Sequence, residues 1–246
     1  MRVLVDIGNT RIKAALDDSG PLRLLEACAW RDSDLTQVFT RALETAAAPE
    51  AILVSNVAGS AIAEAFTRFC TARWRIEPQF MRVRRECAGM TTRYDDPTRL
   101  GVDRWLAALA GWVDTRGPVC VVDAGTALTV DVVSGSGEHR GGLIAPGLAL
   151  MARSLTQGTA QLEIDQLEPV AHFATNTRQG ISLGCREAVG GLLQRVAERW
   201  VRELGEHPRW LLTGGESRLV QELCTLDLER VPDLVQRGIA AAADSP

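Results

Sequence analysis

Short apolar runs, each ending in a small polar turn, punctuate this chain, and helical stretches fill the intervals. Val3, Leu4 and Val5 read as a buried strand that runs into Asp6-Ile7-Gly8-Asn9-Thr10, after which Arg11 to Leu16 resumes an extended, partly alternating pattern. That is a strand, a tight turn and a second strand. The same order returns at Cys120-Val121-Val122, followed by Asp123-Ala124-Gly125-Thr126 and the extended run Thr129 to Val133. A third run, Leu211-Leu212-Thr213, ends in Gly214-Gly215-Glu216-Ser217 ahead of a helix.

The intervals supply the rest of the pattern. Leu22 to Trp30 reads as a third strand, and Asp32-Ser33-Asp34 caps a helix from Leu35 to about Ala47. A strand over residues 51–57, a helix to about Ala72 and a strand over 74–83 follow. Residues 84–105 are polar and loop-like, and lead into an apolar helix from Trp105 to Val113. Beyond the second hairpin come a strand from His139 to Ile144, a helix to about Leu155 and a loop from Ser154 to Pro169. A long helix over about 178–204, with Thr177 as its N-cap, and a closing helix from Asp233 to Ala243 complete the chain.

Strands alternating with helices after an initial meander imply an α/β fold with mixed sheets. Asp6 and Asp123 stand about half a chain length apart, so the repeated hairpin implies two similar half-domains facing a shared cleft. Gly117-Pro118 marks the change, giving halves of 1–115 and 116–246. Two such hairpins followed by a late double-glycine turn resemble the acetate and sugar kinase, heat-shock and actin superfamily. That resemblance implies two actin-like (ribonuclease H-like) half-domains with helix-flanked mixed sheets and the active site between them.

Composition narrows the function. A 46% hydrophobic content supports substantial cores, and a net charge of −4 argues against binding nucleic acid through non-specific attraction to phosphate. There is no basic recognition helix of helix-turn-helix type. The six cysteines are scattered without C-x-x-C spacing, as expected of reduced thiols in a cytoplasmic protein. No signal peptide or membrane-spanning run is visible.

The turns carry the candidate chemistry. Gly8 and Asn9 tolerate positive φ and allow backbone N–H groups to face an anion, while Asp6 could hold a hydrated Mg²⁺ beside it. Lys13 is the single lysine among 27 basic residues and lies beside that turn, where a flexible ammonium could follow a moving phosphoryl group. Gly214-Gly215 would let a flat ring such as adenine approach the backbone. In the polar middle segment, Asp103 could act as base for a substrate hydroxyl, with Arg104 gripping an acidic or amide end through its fork of donors. Asp103 and Arg104 equally suit a helix cap with a surface ion pair. His139, His172 and His207 have no partner at ligand spacing and read as structural or solvated.

The ordered set of motifs resembles the type III pantothenate kinases. It comprises DIGNTRIK (6–13), Tyr94 ahead of GVDR (101–104), DAGTA (123–127), GGLIAPG (141–147), Gly158-Thr159-Ala160, Asn176-Thr177 and TGGES (213–217). The resemblance implies ATP-dependent phosphorylation of pantothenate, the first step towards coenzyme A, with Asp103 as general base. It implies that Asp6, Ile7, Gly8, Asn9, Thr10, Arg11, Ile12, Lys13 and Thr126 bind ATP, and that Tyr94, Gly101, Val102, Asp103, Arg104 and Thr177 contact pantothenate. It further implies Mg²⁺, a monovalent cation (K⁺ or NH₄⁺) held with the help of Asp123, and a homodimer with the substrate pocket near its interface. Val102 and Leu128 stand where members often carry smaller or polar residues, and the position of Lys13 is not always basic. The rival readings are a kinase of the same superfamily acting on another small hydroxylated substrate, and an accessory protein that affects transcription indirectly.

Overall fold

The computed structural model describes residues 1–18, 20–46, 48–156, 168 and 172–245. Its first sheet contains β1 (Arg2–Ile7), β2 (Arg11–Asp17), β3 (Arg23–Leu24), β4 (Cys28–Ala29), β5 (Ala51–Asn56) and β6 (Gln79–Phe80). The order is β3-β2-β1-β5-β6, with β4 also on β2; β1 pairs antiparallel with β2 and parallel with β5. Successive side chains of a strand point to opposite faces. Val3, Val5 and Ile7 accordingly pack under α1 (Leu35–Ala42) and α2 (Ser60–Trp74), whereas Leu4 faces the centre of the molecule.

The second sheet runs β13-β12-β9-β10-β11-β8-β7. Its strands are β7 (Glu86–Cys87), β8 (Met90–Thr92), β9 (Val119–Ala124), β10 (Ala127–Val133), β11 (Glu138–Pro146), β12 (Arg209–Thr213) and β13 (Leu228–Arg230). One face is covered by residues of α4 (Leu148–Thr156), α5 (Thr177–Leu204) and α6 (Ser217–Gln221). Between the two sheets lie α3 (Val102–Thr115) and α7 (Leu234–Ala243), whose apolar residues share one core with Leu4 and Leu53 of the first sheet and Val119, Val121, Val133 and Leu211 of the second. That helix pair fixes the spacing across which the two hairpins meet.

Several elements differ from the sequence pattern for local reasons. The expected strand over 22–30 is split into β3 and β4, because its register on β2 slips by one residue between Ala15↔Leu24 and Ile12↔Cys28. The first helix stops at Ala42, after which Leu43 and Ala46 are buried through a hydrogen-bonded turn instead. Residues 74–83 supply only the two-residue β6, because α2 runs on to Trp74. The polar segment 84–105 holds the β7–β8 hairpin and a 3₁₀ turn at Pro97–Arg99 capped by Asp96. Residues 86–92, from the first half of the chain, are thereby built into the second sheet through pairing of β8 with β11. Most of the expected loop at 154–169, including Gly158-Thr159-Ala160, lies outside the described residues. No helix among the described residues is long and apolar enough to cross a membrane.

Candidate active site

The first turn is closed by Gly8 N–H donating to the Arg11 carbonyl at 3.0 Å. Residues 30 and 31 then take three consecutive carbonyls of the turn. The Trp30 indole N–H donates to Gly8 O (2.8 Å), Arg31 Nε to Asn9 O (2.7 Å) and the Trp30 amide to Thr10 O (3.3 Å). The peptide bonds are trans, so each N–H points away from the carbonyl of its own peptide unit. Anchoring the Gly8 and Asn9 carbonyls on one side therefore turns the Asn9 and Thr10 amides to the other, the arrangement an anion needs. Ile7 and Ile12 face each other across the turn and are fully buried, so only their backbone could meet a ligand. Asn9 and Arg11 are exposed.

The second turn faces the first. Gly125 N–H donates to Ala127 O at 3.0 Å, and Thr10 Oγ1 lies 2.6 Å from Thr126 Oγ1, joining the two hairpins directly. The double-glycine turn packs against the same strand end. Gly214 has φ +98°, and a Cβ there would stand 2.3 Å from the Ala124 carbonyl, so no side chain fits. Glu216 takes a role the sequence did not reveal: its carboxylate accepts from the Leu148 (3.1 Å) and Ala149 (3.2 Å) amides, capping α4. The motifs at 123–127, 145–147 and 213–217 are thus locked together, since Gly147 N–H also donates to Thr126 O.

Asp6, Asp103 and Asp123 are electrostatic neighbours in the cleft between these turns. Burial pushes the Asp6 carboxyl up to about 7; Asp103 and Asp123 push the same way, while Lys13 and the Ser55 hydroxyl, which donates at 3.1 Å, oppose the rise. Burial likewise raises Asp123, opposed by Lys13 and aided by Asp103. Burial raises Asp103, opposed by the Arg104 amide, which donates to Oδ1 at 2.8 Å, and by the Arg104 charge. Asp6 and Asp123 both feel the negative charge of Asp103, and Lys13 is the positive charge that acts on both. Among the described residues no three His, Cys, Asp or Glu converge at metal-ligand spacing. The arrangement fits a hydrated Mg²⁺ held by one or two carboxylates plus substrate phosphates, not a metal held by an all-protein cage.

The residues expected to meet the substrate gather at the start of α3, Thr177 excepted. Gly101 is its N-cap, and a side chain there would place Cβ 2.7 Å from Asp103 Oδ1. Asp103 sits in the first helical turn, where the helix dipole favours a carboxylate. Val102 is half-buried against the central core. Arg104 corrects the expectation of a free guanidinium fork. Its Nε and Nη2 are engaged bidentately by Asp131 (2.8 and 2.7 Å), and Nη1 donates to the Tyr94 hydroxyl at 3.3 Å. His139 takes the structural option that the sequence allowed: it is fully buried, with Nε2 3.0 Å from Asp131 Oδ1 and Nδ1 3.2 Å from Thr92 Oγ1.

Thr177 stands apart from this cluster. The N-cap of α5 is Asn176, whose side chain accepts from Gln179 N–H at 2.9 Å, and Thr177 is the first helical residue. It is exposed and lines a groove of about 540 Å³ between α4 and α5 with Met151, Leu155, Gly180, Ile181 and Gly184.

A family model described as type III pantothenate kinase matches residues 2–199 of this chain. The type III pantothenate kinase of Nitrosococcus oceani is 33% identical over 249 residues, covering 99% of this chain and 94% of that protein. Among solved structures, a conserved putative Baf family transcriptional activator from Campylobacter jejuni superposes with TM-score 0.61 at 22% identity, over 97% of this chain and 95% of that one. The activator of the 2-hydroxyisocaproyl-CoA dehydratase from Clostridium difficile, solved with bound ADPNP, gives TM-score 0.53 at 10% identity, over 98% and 92%. These two structural likenesses speak for the actin-like two-sheet fold alone.

Proposed function

Because this chain belongs to the type III pantothenate kinase family, we propose that its ATP-dependent phosphorylation of pantothenate takes place in the cleft where the two hairpin turns meet. The observations that carry this reading are the Thr10–Thr126 contact between the two turns and the electrostatic proximity of Asp6, Asp103 and Asp123. Phosphoryl transfer asks for in-line positioning and neutralisation of charge spread over the transferred group. The outward amides at 9 and 10, the hydroxyls of Thr10 and Thr126, and Lys13 supply donors and positive charge for the ATP phosphates. Mg²⁺, when bound near Asp6, adds charge neutralisation on those phosphates. Arg11, whose guanidinium reaches the double-glycine turn, belongs to the nucleotide side of the cleft.

Asp103 orients the pantothenate hydroxyl and accepts its proton. Its raised pKa brings it closer to neutrality, which favours a general base. Tyr94, Gly101, Val102 and Arg104 form the wall that receives the rest of pantothenate. Asp123, half-buried at the end of β9, is the carboxylate assigned to the monovalent cation.

The α4–α5 groove supports a homodimer. Leu155 of the groove is an exposed apolar residue, as are Leu150 of α4 and Phe173 ahead of α5, and Gly180 and Gly184 leave open space on the face of α5. A second copy packed there would bring a partner helix close to Thr177 and so place Thr177 at a pocket near the subunit interface. The six unpaired cysteines, five of them buried, suit a cytoplasmic enzyme.

The test is ADP release from Mg-ATP with and without pantothenate, in K⁺ or NH₄⁺ and then in Na⁺. Turnover that requires pantothenate and falls in Na⁺ is expected. Absence of turnover in K⁺ and NH₄⁺, from folded protein that still binds ATP, would overturn the placement of the reaction in this cleft.

A further inference from the structure

The charged cluster behind the pantothenate wall contains two residues that the reaction so far leaves without a role. Asp131 is 2% exposed and His139 is 0% exposed; Asp131 pairs with the Arg104 guanidinium, and His139 contacts Asp131. The polar contacts form a chain. The Tyr94 amide donates to Thr92 Oγ1 (3.4 Å), and the same oxygen lies 3.2 Å from His139 Nδ1. The other ring nitrogen, Nε2, faces a carboxylate, which accepts, and so donates to Asp131 Oδ1 (3.0 Å). Asp131 accepts in addition from Arg104 Nε and Nη2. The His139 ring also stacks under Tyr94, with centroids 6.1 Å apart and planes inclined by 16°.

This arrangement depends on an irregularity in the β10–β11 pairing. Asp131 lies opposite Gly142, but Val133 lies opposite His139, one residue out of the regular register. A one-residue slip moves a side chain to the other face of its strand. His139 therefore shares the face of Asp131, which is the face looking at α3. Gly142 cannot be replaced without displacing Asp131, since a Cβ there would lie 2.0 Å from the Val130 carbonyl and 2.8 Å from Asp131 Oδ1.

We infer that Asp131 and His139 are positioning residues for substrate recognition: together they lock the Arg104 guanidinium so that only its Nη1 edge, paired with the Tyr94 hydroxyl, is presented to the acidic end of pantothenate. A bidentate carboxylate fixes the plane of a guanidinium as well as its place. His139 holds that carboxylate from behind and supports the ring of Tyr94, so both donors at the substrate end are set by one buried network. A buried ion pair adds little stability compared with an apolar replacement, so stability alone is a weak reason for it. The inference rests on the reading of Arg104 as a pantothenate contact.

The experiment measures KM for pantothenate, KM for ATP and kcat in Arg104→Gln, Asp131→Asn, His139→Leu and His139→Gln. Each is also assayed with the neutral analogue in which the pantothenate carboxylate is replaced by a hydroxymethyl group. Arg104→Gln is expected to raise pantothenate KM at least tenfold, and Asp131→Asn by a similar factor, with ATP KM within twofold of the parent. His139→Leu should raise pantothenate KM several-fold, whereas His139→Gln, which keeps a donor towards Asp131, should recover most of the loss. All three damaging changes should reduce the preference for pantothenate over the neutral analogue. If Arg104→Gln leaves pantothenate KM unchanged, the assignment of Arg104 itself fails. If Arg104→Gln behaves as expected but His139→Leu matches the parent, or raises both KM values equally, the positioning role is overturned. The His139 pair decides the question even if Asp131→Asn does not fold.

Discussion

Thr10 and Thr126, one from each hairpin turn, meet through their hydroxyl oxygens at 2.6 Å, so the two hairpins touch directly at the site proposed for the ATP phosphates. Each hydroxyl can donate to or accept from the other, and either can be redirected to a phosphate oxygen. A net hydrogen bond of this kind is worth about 0.5–1.5 kcal/mol. Thr126→Val is expected to raise KM for ATP several-fold, and the Thr10→Val/Thr126→Val double change should cost less than the two single costs summed. Strict additivity in that double-mutant cycle would show that the contact has no part in nucleotide binding.

Asp103→Asn keeps the size of the side chain but removes the proton acceptor. Turnover should fall by about 10²–10⁴-fold, the usual range for a general base. ATP affinity, read by calorimetry or fluorescent-nucleotide displacement, should change little. Parental turnover in this variant would exclude Asp103 as the base.

The Asp6 carboxyl stands at about 7 in the folded chain, against about 4 for an unfolded carboxyl. A group whose folded pKa is raised favours the folded state below its unfolded pKa and loses that contribution as pH climbs through the folded value. The ligand-free protein in chelator should therefore lose stability between pH 4 and pH 7 from this group, by a few kcal/mol at most at about 1.4 kcal/mol per unit. Asp6→Asn should flatten that part of the Tm-against-pH curve. Added Mg-ATP should stabilise the parent more at pH 8 than at pH 5.5. A Tm profile that is the same in Asp6→Asn and parent would refute the assignment.

Trp30 holds the Gly8 carbonyl with its indole N–H. Trp30→Phe removes that donor while retaining an aromatic ring. KM for ATP should rise several-fold with pantothenate KM unchanged, because the loosened turn no longer presents its amides in fixed directions. Equal changes in both constants would point to general loss of structure.

Gly184 lies on the exposed face of α5, with open space where a side chain would project. Gly184→Glu should be tolerated within one protomer, and even favoured by roughly 0.5–1 kcal/mol because glycine is a poor helix former. Placed in the proposed interface, the same carboxylate should convert a dimer into monomers by light scattering and abolish pantothenate turnover. A fully dimeric, active variant would move the interface elsewhere.

The first hairpin, the repeated turn at Asp123, the double-glycine turn and the long α5 helix were all legible in the chain. Each is a local pattern in which apolar alternation or helical spacing ends at glycine or another turn residue. The candidate carboxylates were legible for the same reason, since Asp6 and Asp123 end apolar strands and Asp103 opens a helix. The strands at 86–92 were not legible. They are two and three residues long and exist through pairing with β11, remote in sequence. Trp30, Arg31 and Ser55 escaped notice because their partners, Gly8, Asn9 and Asp6, lie tens of residues away.

The Arg104–Asp131–His139 network marks the boundary most clearly. Backbone propensity and apolar periodicity are properties of neighbouring residues, so they place the turns, the strand ends that carry carboxylates and the helix that begins with Asp103-Arg104. What Arg104 holds and which way His139 faces are set by contacts between residues distant in the chain. That outcome depends on the packing of α3 against β10 and on a one-residue slip between β10 and β11, and a slip reverses the face of a side chain without leaving a mark in the local pattern.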